Sequence, residues 1–335
     1  MKALVVRLSA LGDVVLTTGV LRHWHTTLGL KATVLTRAAF APVFAHHPAV
    51  EEVFGLSPQD LTLRGWMAMT WKLRRGYGHL PLIDLHGTGR TLLLGALWPR
   101  PVYRTPKFTL TRRLFRLTRH PALGYRLLQH TVPQRYALAL DPQAPPPSQL
   151  CPSLAVAAHE RAQAQELLQS LGLHFPLALH PYATHPAKSP RPDWWRALRG
   201  HLADAGVPTV IIGRHPQPLL GNAPHDRTNH DSLRQTLALL SLCQGLVTGD
   251  SGPMHLAWGV GTPVFALFGP TTPHWGFAPH GPHDTILQAP CPKAPCSLHG
   301  ATPCPGATPC LERLDPRKVA AHIMAWRQGL PGFIP

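Results

Sequence analysis

Residues 247–271 read VTGDSGPMHLAWGVGTPVFALFGPT, and this stretch decides the fold. An apolar run ends at an acidic-glycine turn, a short helix follows, and a second apolar strand closes the unit. Strand, turn, helix and strand in that order build parallel sheet. Asp250, Ser251 and Gly252 form the turn, and Pro253 suits the first helical position, where a missing N–H costs nothing. Such a helix start presents free N–H groups and a positive dipole end, a setting in which phosphate binds. Gly252 lets a ligand approach the backbone, and Asp250 is placed to hold a sugar or ribose hydroxyl. From these residues alone, an ordinary β–α turn of an α/β domain reads the same way.

The pattern repeats on both sides of this unit. In the second half, Ala158–Leu171 reads as a helix closed by Gly172 and Leu177–His180 as a strand. Asp193–Ala205 is a helix, Thr209–Ile212 a strand, Asp231–Cys243 a helix with Asp231 at its N-cap, and Pro316–Gln328 a terminal helix. In the first half, Lys2–Arg7 is a strand, Ser9–Asp13 a turn and Val14–Leu28 a helix. Ala32–Leu35 and Leu80–Leu85 are further strands, and an apolar helix starts at Arg90. The proline-rich stretch DPQAPPPSQLCPS (141–153) reads as a linker. The expectation is two α/β domains, 1–150 and 151–335, with a cleft at the strand ends. The terminal helix is left free to return to the first of them.

The first β–α turn, VVRLSALGDVVLTT, holds one glycine, so neither GxGxxG nor GxxxxGK[ST] is met. Asp13, near the helix start, is either a cap for helix N–H groups or, facing the cleft, a general base. The loop LALHPYATHPAKSPRPDWW follows a strand end and offers His180, Thr184, Lys188 and Arg191. Lys188 is either a solvated loop lysine or the charge that steadies a leaving diphosphate. With 11 Asp and 5 Glu in 335 residues, and no DxD triplet, clustered carboxylates for Mg²⁺ or Mn²⁺ are missing. That favours chemistry without a metal.

The net charge is +16, concentrated in residues 1–150, and no acid occurs between Asp84 and Asp141. The first half therefore meets an anionic partner. The stretches 63–80 and 107–126 interleave Trp66, Trp71, Leu110, Leu114 and Leu117 with arginine and lysine, which suits an anionic amphiphile or a membrane surface. Ordinary exposed helix faces give the same pattern. No zinc-finger, RNP or helix-turn-helix signature supports nucleic acid. No segment reaches the roughly 18 apolar residues of a spanning helix, and Arg7 and Asp13 interrupt the start, so an intracellular location is expected. Cys291, Cys296, Cys304 and Cys310 lie in one irregular loop without CxxC spacing, which points to free thiols or a local pair before zinc.

Together VVRLSALGDVVLTTGVLR, LIDLHGTGRTLLL, the ALHPYAT…K loop, the D-S-G-P-x-H signature at 250–255 and CPGATPCL at 304–311 resemble glycosyltransferase family 9, the lipopolysaccharide heptosyltransferases. The resemblance runs from residue 1 to about 320. It implies a GT-B fold, two Rossmann-like domains facing across a cleft and working without a metal or cofactor. It implies ADP-heptose held mainly by the C-terminal domain, and an acceptor on the lipid A-linked core at the cytoplasmic face of the inner membrane, with peripheral contact and no nucleic acid. By the same resemblance Asp13 is the general base. Thr184, Lys188, Asp250, Ser251, Gly252 and His255 hold the donor. Ser9 and Gly12 shape the turn, and His86 and Arg90 face the acceptor. A different nucleotide sugar, or binding without catalysis, stays open at this stage.

Overall fold

The computed structural model describes residues 1–302, 304 and 308–329. The first half runs β1 (Lys2–Val6), α1 (Leu11–Leu28), β2 (Lys31–Arg37), β3 (Val50–Leu56), α2 (Leu63–Tyr77), β4 (Leu82–Asp84), α3 (Gly89–Ala96), β5 (Val102–Arg104), α4 (Thr109–Thr118), α5 (Pro121–Leu128) and α6 (Val132–Ala137). The second runs α7 (Ala158–Ser170), β6 (Leu177–His180), α8 (Pro192–Asp204), β7 (Thr209–Ile211), α9 (Leu233–Leu240), β8 (Gly245–Gly249), α10 (Gly252–Gly259), β9 (Val264–Phe268), β10 (Thr285–Gln288) and α11 (Pro316–Gln328). Each half holds a five-stranded parallel sheet, ordered β3-β2-β1-β4-β5 and β10-β9-β8-β6-β7. The central strands are largely apolar and buried on both faces, as parallel sheets require; β8 and β9 are entirely buried.

One apolar core runs through both halves. Val5, Val14, Val15 and Leu21 belong to the same cluster as Ala178, Leu246, Met254 and Leu256. The joint is α1 against α10. A Cβ on Gly252 would come within 2.8 Å of Leu11, and one on Gly12 within 2.4 Å of the His255 ring. Both glycines are there so that two helix starts can touch.

The proline-rich stretch is strapped down rather than loose. Ser153 N–H donates to Thr18 Oγ1 at 2.9 Å and Arg22 donates to the Cys151 carbonyl at 3.2 Å. Gly19 of α1 faces the carbonyls of Leu150 and Cys151 so closely that a Cβ would lie 2.3–2.4 Å from them.

Three expectations change. The first helix starts at Leu11, which puts Gly12 and Asp13 inside its first turn instead of ahead of it. The cap of α9 is Ser232, paired in a capping box with Gln235, while Asp231 binds Arg227; a hydroxyl one residue later was the better-placed acceptor. The terminal helix stays with the second half. Val319, Ala320 and Ile323 join the cluster of Trp195, Leu198 and Phe265, and Trp326 sets its edge on Phe265 at 5.0 Å. Its apolar face is thereby used up, leaving no reason to return to the first sheet. The core of the CPGATPCL stretch, residues 305–307, lies outside the described residues. Among the described residues no helix is long and apolar enough to cross a membrane.

Two glycine-to-alanine changes test the packing of the strap. Gly19→Ala should cost about 1–3 kcal/mol by overpacking, read as a lower melting temperature. Gly76→Ala, exposed in α2 with nothing near its missing Cβ, should gain about 0.5–1 kcal/mol from helix propensity.

Candidate functional site

A cavity of about 310 Å³ opens where the two helix starts meet. The first half contributes Ala10, Gly12 and Asp13; the second contributes Thr184, Lys188, Asp250, Ser251, Gly252 and His255 among others. Eight of the eleven expected site residues therefore line one cavity. Ser9 is half-buried beside it, His86 sits behind it, and Arg90 is exposed on α3; none of the three lines the cavity.

Asp13 occupies the first turn of α1. Arg7, from the end of β1, reaches its Oδ1 at 2.6 Å, and the Tyr136 hydroxyl of α6 donates to the same oxygen. The Ala10 N–H donates to Oδ2 at 3.3 Å. Burial pushes this carboxyl up, but Arg7, the Tyr136 and Ala10 hydrogen bonds and nearby His255 together overrule it and hold it below the usual carboxylate range. It is an anion at neutral pH. The cap reading of Asp13 accounts only for the long bond to Ala10.

The opposite wall is built from glycine and polar turns. Ser251 is the N-cap of α10, so Gly252 is the first helical residue and Pro253 the second. The Ser251 hydroxyl makes no cap bond. It lies 3.1 Å from Thr248 Oγ1 and 3.3 Å from His180 Nδ1. The N–H groups of the first turn are left for a ligand, at the positive end of the helix dipole. Lys188 pairs with Asp250 at 2.9 Å, both largely shielded from solvent. Gly249 lets the Lys188 carbonyl pass, since a Cβ there would lie 2.1 Å away, and Gly300, at φ +82°, presses on the Lys188 stem. A cation and free amides thus stand opposite a carboxylate, an arrangement suited to stabilising a leaving anion while a base removes a proton.

Three histidines here, His180, His255 and His86, are held in the neutral form. Burial lowers His180 to about 3 and His255 to about 4, in the latter against the pull of Asp250 and Asp13. His86 also falls to about 4, through burial and then Arg7.

Sequence reasoning missed part of this wall. Arg7 read only as a break in an apolar start, and Tyr136 carried no motif. Trp275, Phe277, Leu298 and His299 also line the cavity, from loops with no periodicity. Among the described residues the indole N–H of Trp275 and Nδ1 of His255 are buried without a hydrogen-bond partner, so a bound molecule has polar atoms to satisfy. The four loop cysteines are free. Cys310 packs on Gly269, and burial with the neighbouring thiols pushes it up to about 11. Among the described residues no group of three or more His, Cys, Asp or Glu is arranged to hold a metal ion.

Two parallel α/β halves, with a carboxylate on one helix start facing a polar helix start on the other across a cavity, match the GT-B fold of glycosyltransferases. The chain belongs to glycosyltransferase family 9 (heptosyltransferase), whose sequence profile matches residues 111–302. It is 26% identical to lipopolysaccharide heptosyltransferase 1 of Pseudomonas aeruginosa, over 97% of this chain and 98% of that protein. The family 9 glycosyl transferase of Veillonella parvula superposes with a TM-score of 0.74 at 20% identity, covering 97% of this chain and 96% of that one. The E. coli ADP-heptose lps heptosyltransferase II superposes with a TM-score of 0.73 at 21% identity, covering 97% and 98%. The GT-B expectation and the family resemblance are both met.

The neutral histidines set an acid limit. An unfolded histidine takes its proton near pH 6.5, whereas His180 and His255 resist it down to about 3 and 4. The unfolded chain binds more protons in between, so stability falls as pH drops from 6.5 toward 4. Melting temperature measured across that window should decline steadily; a flat profile would contradict neutral burial.

Proposed function

We propose that the protein transfers heptose from ADP-heptose to the inner core of lipid A-linked lipopolysaccharide, with inversion and without a metal. The observation that carries this reading is that Asp13 faces the same cavity as Lys188 and the start of α10. Asp13 takes the proton of an acceptor hydroxyl, the freed oxygen forms the new bond at the anomeric carbon, and ADP departs with the bonding pair from the opposite side. One base and a stabilised leaving group suffice for this displacement, in contrast to the paired carboxylates of glycoside hydrolysis. Lys188, with the Gly252 and Met254 amides, takes the diphosphate charge that a metal carries elsewhere. Thr184, Asp250, Ser251 and His255 shape the donor pocket, so residues 151–335 bind the donor and 1–150 the acceptor. Ser9 supports the Asp13 turn, and His86 and Arg90 lie on the acceptor side. ADP-heptose is named for the structurally similar E. coli enzyme and lipopolysaccharide for the P. aeruginosa relative, which is why these substrates are favoured.

The acceptor is an anionic lipid, and α4–α5 is suited to meet it at the cytoplasmic face of the membrane. Leu110, Leu117 and Tyr125 are 71%, 66% and 70% exposed, with Leu114 and Leu128 beside them. Arg113, Arg119 and Arg126 surround them, also exposed. Phe115 and Arg112 face inward, Phe115 edge-on to Trp275 and Arg112 over Phe277. The hairpin therefore links an apolar, basic outer face to the cavity wall. The 63–80 stretch contributes less, because Trp66 and Leu73 are core and, among its described residues, Leu63 and Trp71 are the large apolar side chains left open.

Incubation with ADP-heptose and truncated core acceptors, read by product mass, tests the transfer and identifies the sugar. Asp13→Asn should lose about 10²–10⁴-fold in turnover while still binding ADP, and full turnover would end this reading. Lys188→Ala should weaken ADP binding roughly ten- to a hundredfold, and a chelator should leave the rate unchanged. The wild type should sediment with phosphatidylglycerol vesicles in a salt-sensitive manner, and Leu110→Ser with Leu117→Ser should abolish this.

A further inference from the structure

The two oxygens of Asp13 are treated differently. Oδ1 accepts from the Arg7 guanidinium and from the Tyr136 hydroxyl, whereas Oδ2, among the described residues, has only the long contact to the Ala10 N–H at 3.3 Å. Arg7 is itself fixed from behind. Its other terminal nitrogen donates to the Leu85 carbonyl at 2.5 Å, and its guanidinium lies over the Tyr136 ring, 5.0 Å from the centroid. Tyr136 is buried, on a short helix 123 residues away in sequence. A buried cation, anion and phenol stabilise a fold no better than apolar residues of the same volume. Their arrangement does, however, fix one rotamer of one carboxylate. Burial, chiefly, and the adjoining Asp13 keep the phenol well above its ordinary titration range, so it remains a donor.

We propose that Arg7 and Tyr136 are positioning residues of the base: they lock Oδ1 of Asp13 and leave Oδ2 as the oxygen that receives the acceptor's proton. This rests on the reading of Asp13 as the base. The proton passes from the acceptor hydroxyl to Oδ2 while Oδ1 keeps both donors, so the carboxylate enters the reaction without rotating. A base held this way works at a fixed distance and angle, at the cost of lower basicity.

The charged and titratable groups around Asp13 are Arg7 after β1, Tyr136 on α6, Arg112 on α4 and His255 on α10. Asp84 and His86 lie near Arg7, and Lys188 and Asp250 near His255; His299 also senses Asp13. Of these, only Tyr136 gives up a neutral hydrogen bond without changing any charge at neutral pH, which makes it the clean test.

Tyr136→Phe removes a donor that favours the ionised carboxyl. The Asp13 pKa therefore rises, and the acid limb of kcat/KM moves to higher pH by about one pH unit. Turnover at its optimum should fall about tenfold, with the KM for ADP-heptose unchanged. A merely structural tyrosine would alter stability or KM without moving the limb. A folded variant with the wild-type limb and wild-type kcat overturns the proposal. Should Tyr136→Phe fail to fold, Arg7→Lys is read on the same axes; it keeps the charge but cannot span Leu85 and Asp13 together, and the same two outcomes decide. Asp13→Asn separates the two claims. If it stays active, the reading of the base fails; if it is dead while Tyr136→Phe behaves as wild type, only the positioning role fails. The carbon-13 resonance of the Asp13 carboxyl, titrated in wild type and Tyr136→Phe, reads the same shift without turnover.

Discussion

Two helix starts pressed together govern this molecule. The first turns of α1 and α10 carry positive dipole ends, and bringing them into contact is unfavourable unless something negative lies between or beside them. Asp13 supplies one such charge from the first half and Asp250 another from the second. Steric fit does the rest, with the His255 ring seated over Gly12 and Leu11 over Gly252. The cavity exists because these ends meet without filling the space in front of them. The continuous core behind them keeps the distance fixed.

The same corner holds most of the polar groups that burial would otherwise disfavour. Asp84 is fully buried; one oxygen accepts from the His86 and Gly87 N–H groups and the other has no partner among the described residues. An unsatisfied buried polar atom costs about 1–3 kcal/mol, and a protein of ordinary stability carries few of them. Among the described residues those on Arg7, Asp84, His86, Arg112, His255 and Trp275 gather around Asp13, while others, on Thr36 of β2, Thr70 of α2 and Arg199 of α8, lie elsewhere. Elsewhere the accounts are conventional: apolar strands, capped helices and glycine where chains cross.

Local chemistry made much of this legible in advance. Leu177–His180 and Pro316–Gln328 fall where their apolar patterns end, and the turn at 249–252 is written in its own residues. The cavity wall of the second half draws on two short stretches, so Thr184, Lys188, Asp250, Ser251, Gly252 and His255 could be named from short motifs. What stayed hidden depends on pairs distant along the chain. No window of sequence contains both Asp13 and Tyr136, and an arginine at a strand end looks the same whether it faces water or a carboxylate. Trp275, Phe277, Leu298 and His299 lie in segments shaped by tertiary contact alone. The Asp231 cap was lost to a competitor one residue away, where two good acceptors stand side by side.

Lys188 does not stand as a bare cation, because Asp250 pairs with it at 2.9 Å. Under the proposed donor role, a diphosphate reaching Lys188 would have to displace that carboxylate, and its gain would be the difference between two ion pairs. Stray inorganic anions of single charge have little to win by the exchange. Under the same role, the aspartate would return to the lysine as the nucleotide leaves, as a spring-loaded latch ejects its bolt. The pairing trades tightness of grip for selectivity and ease of release.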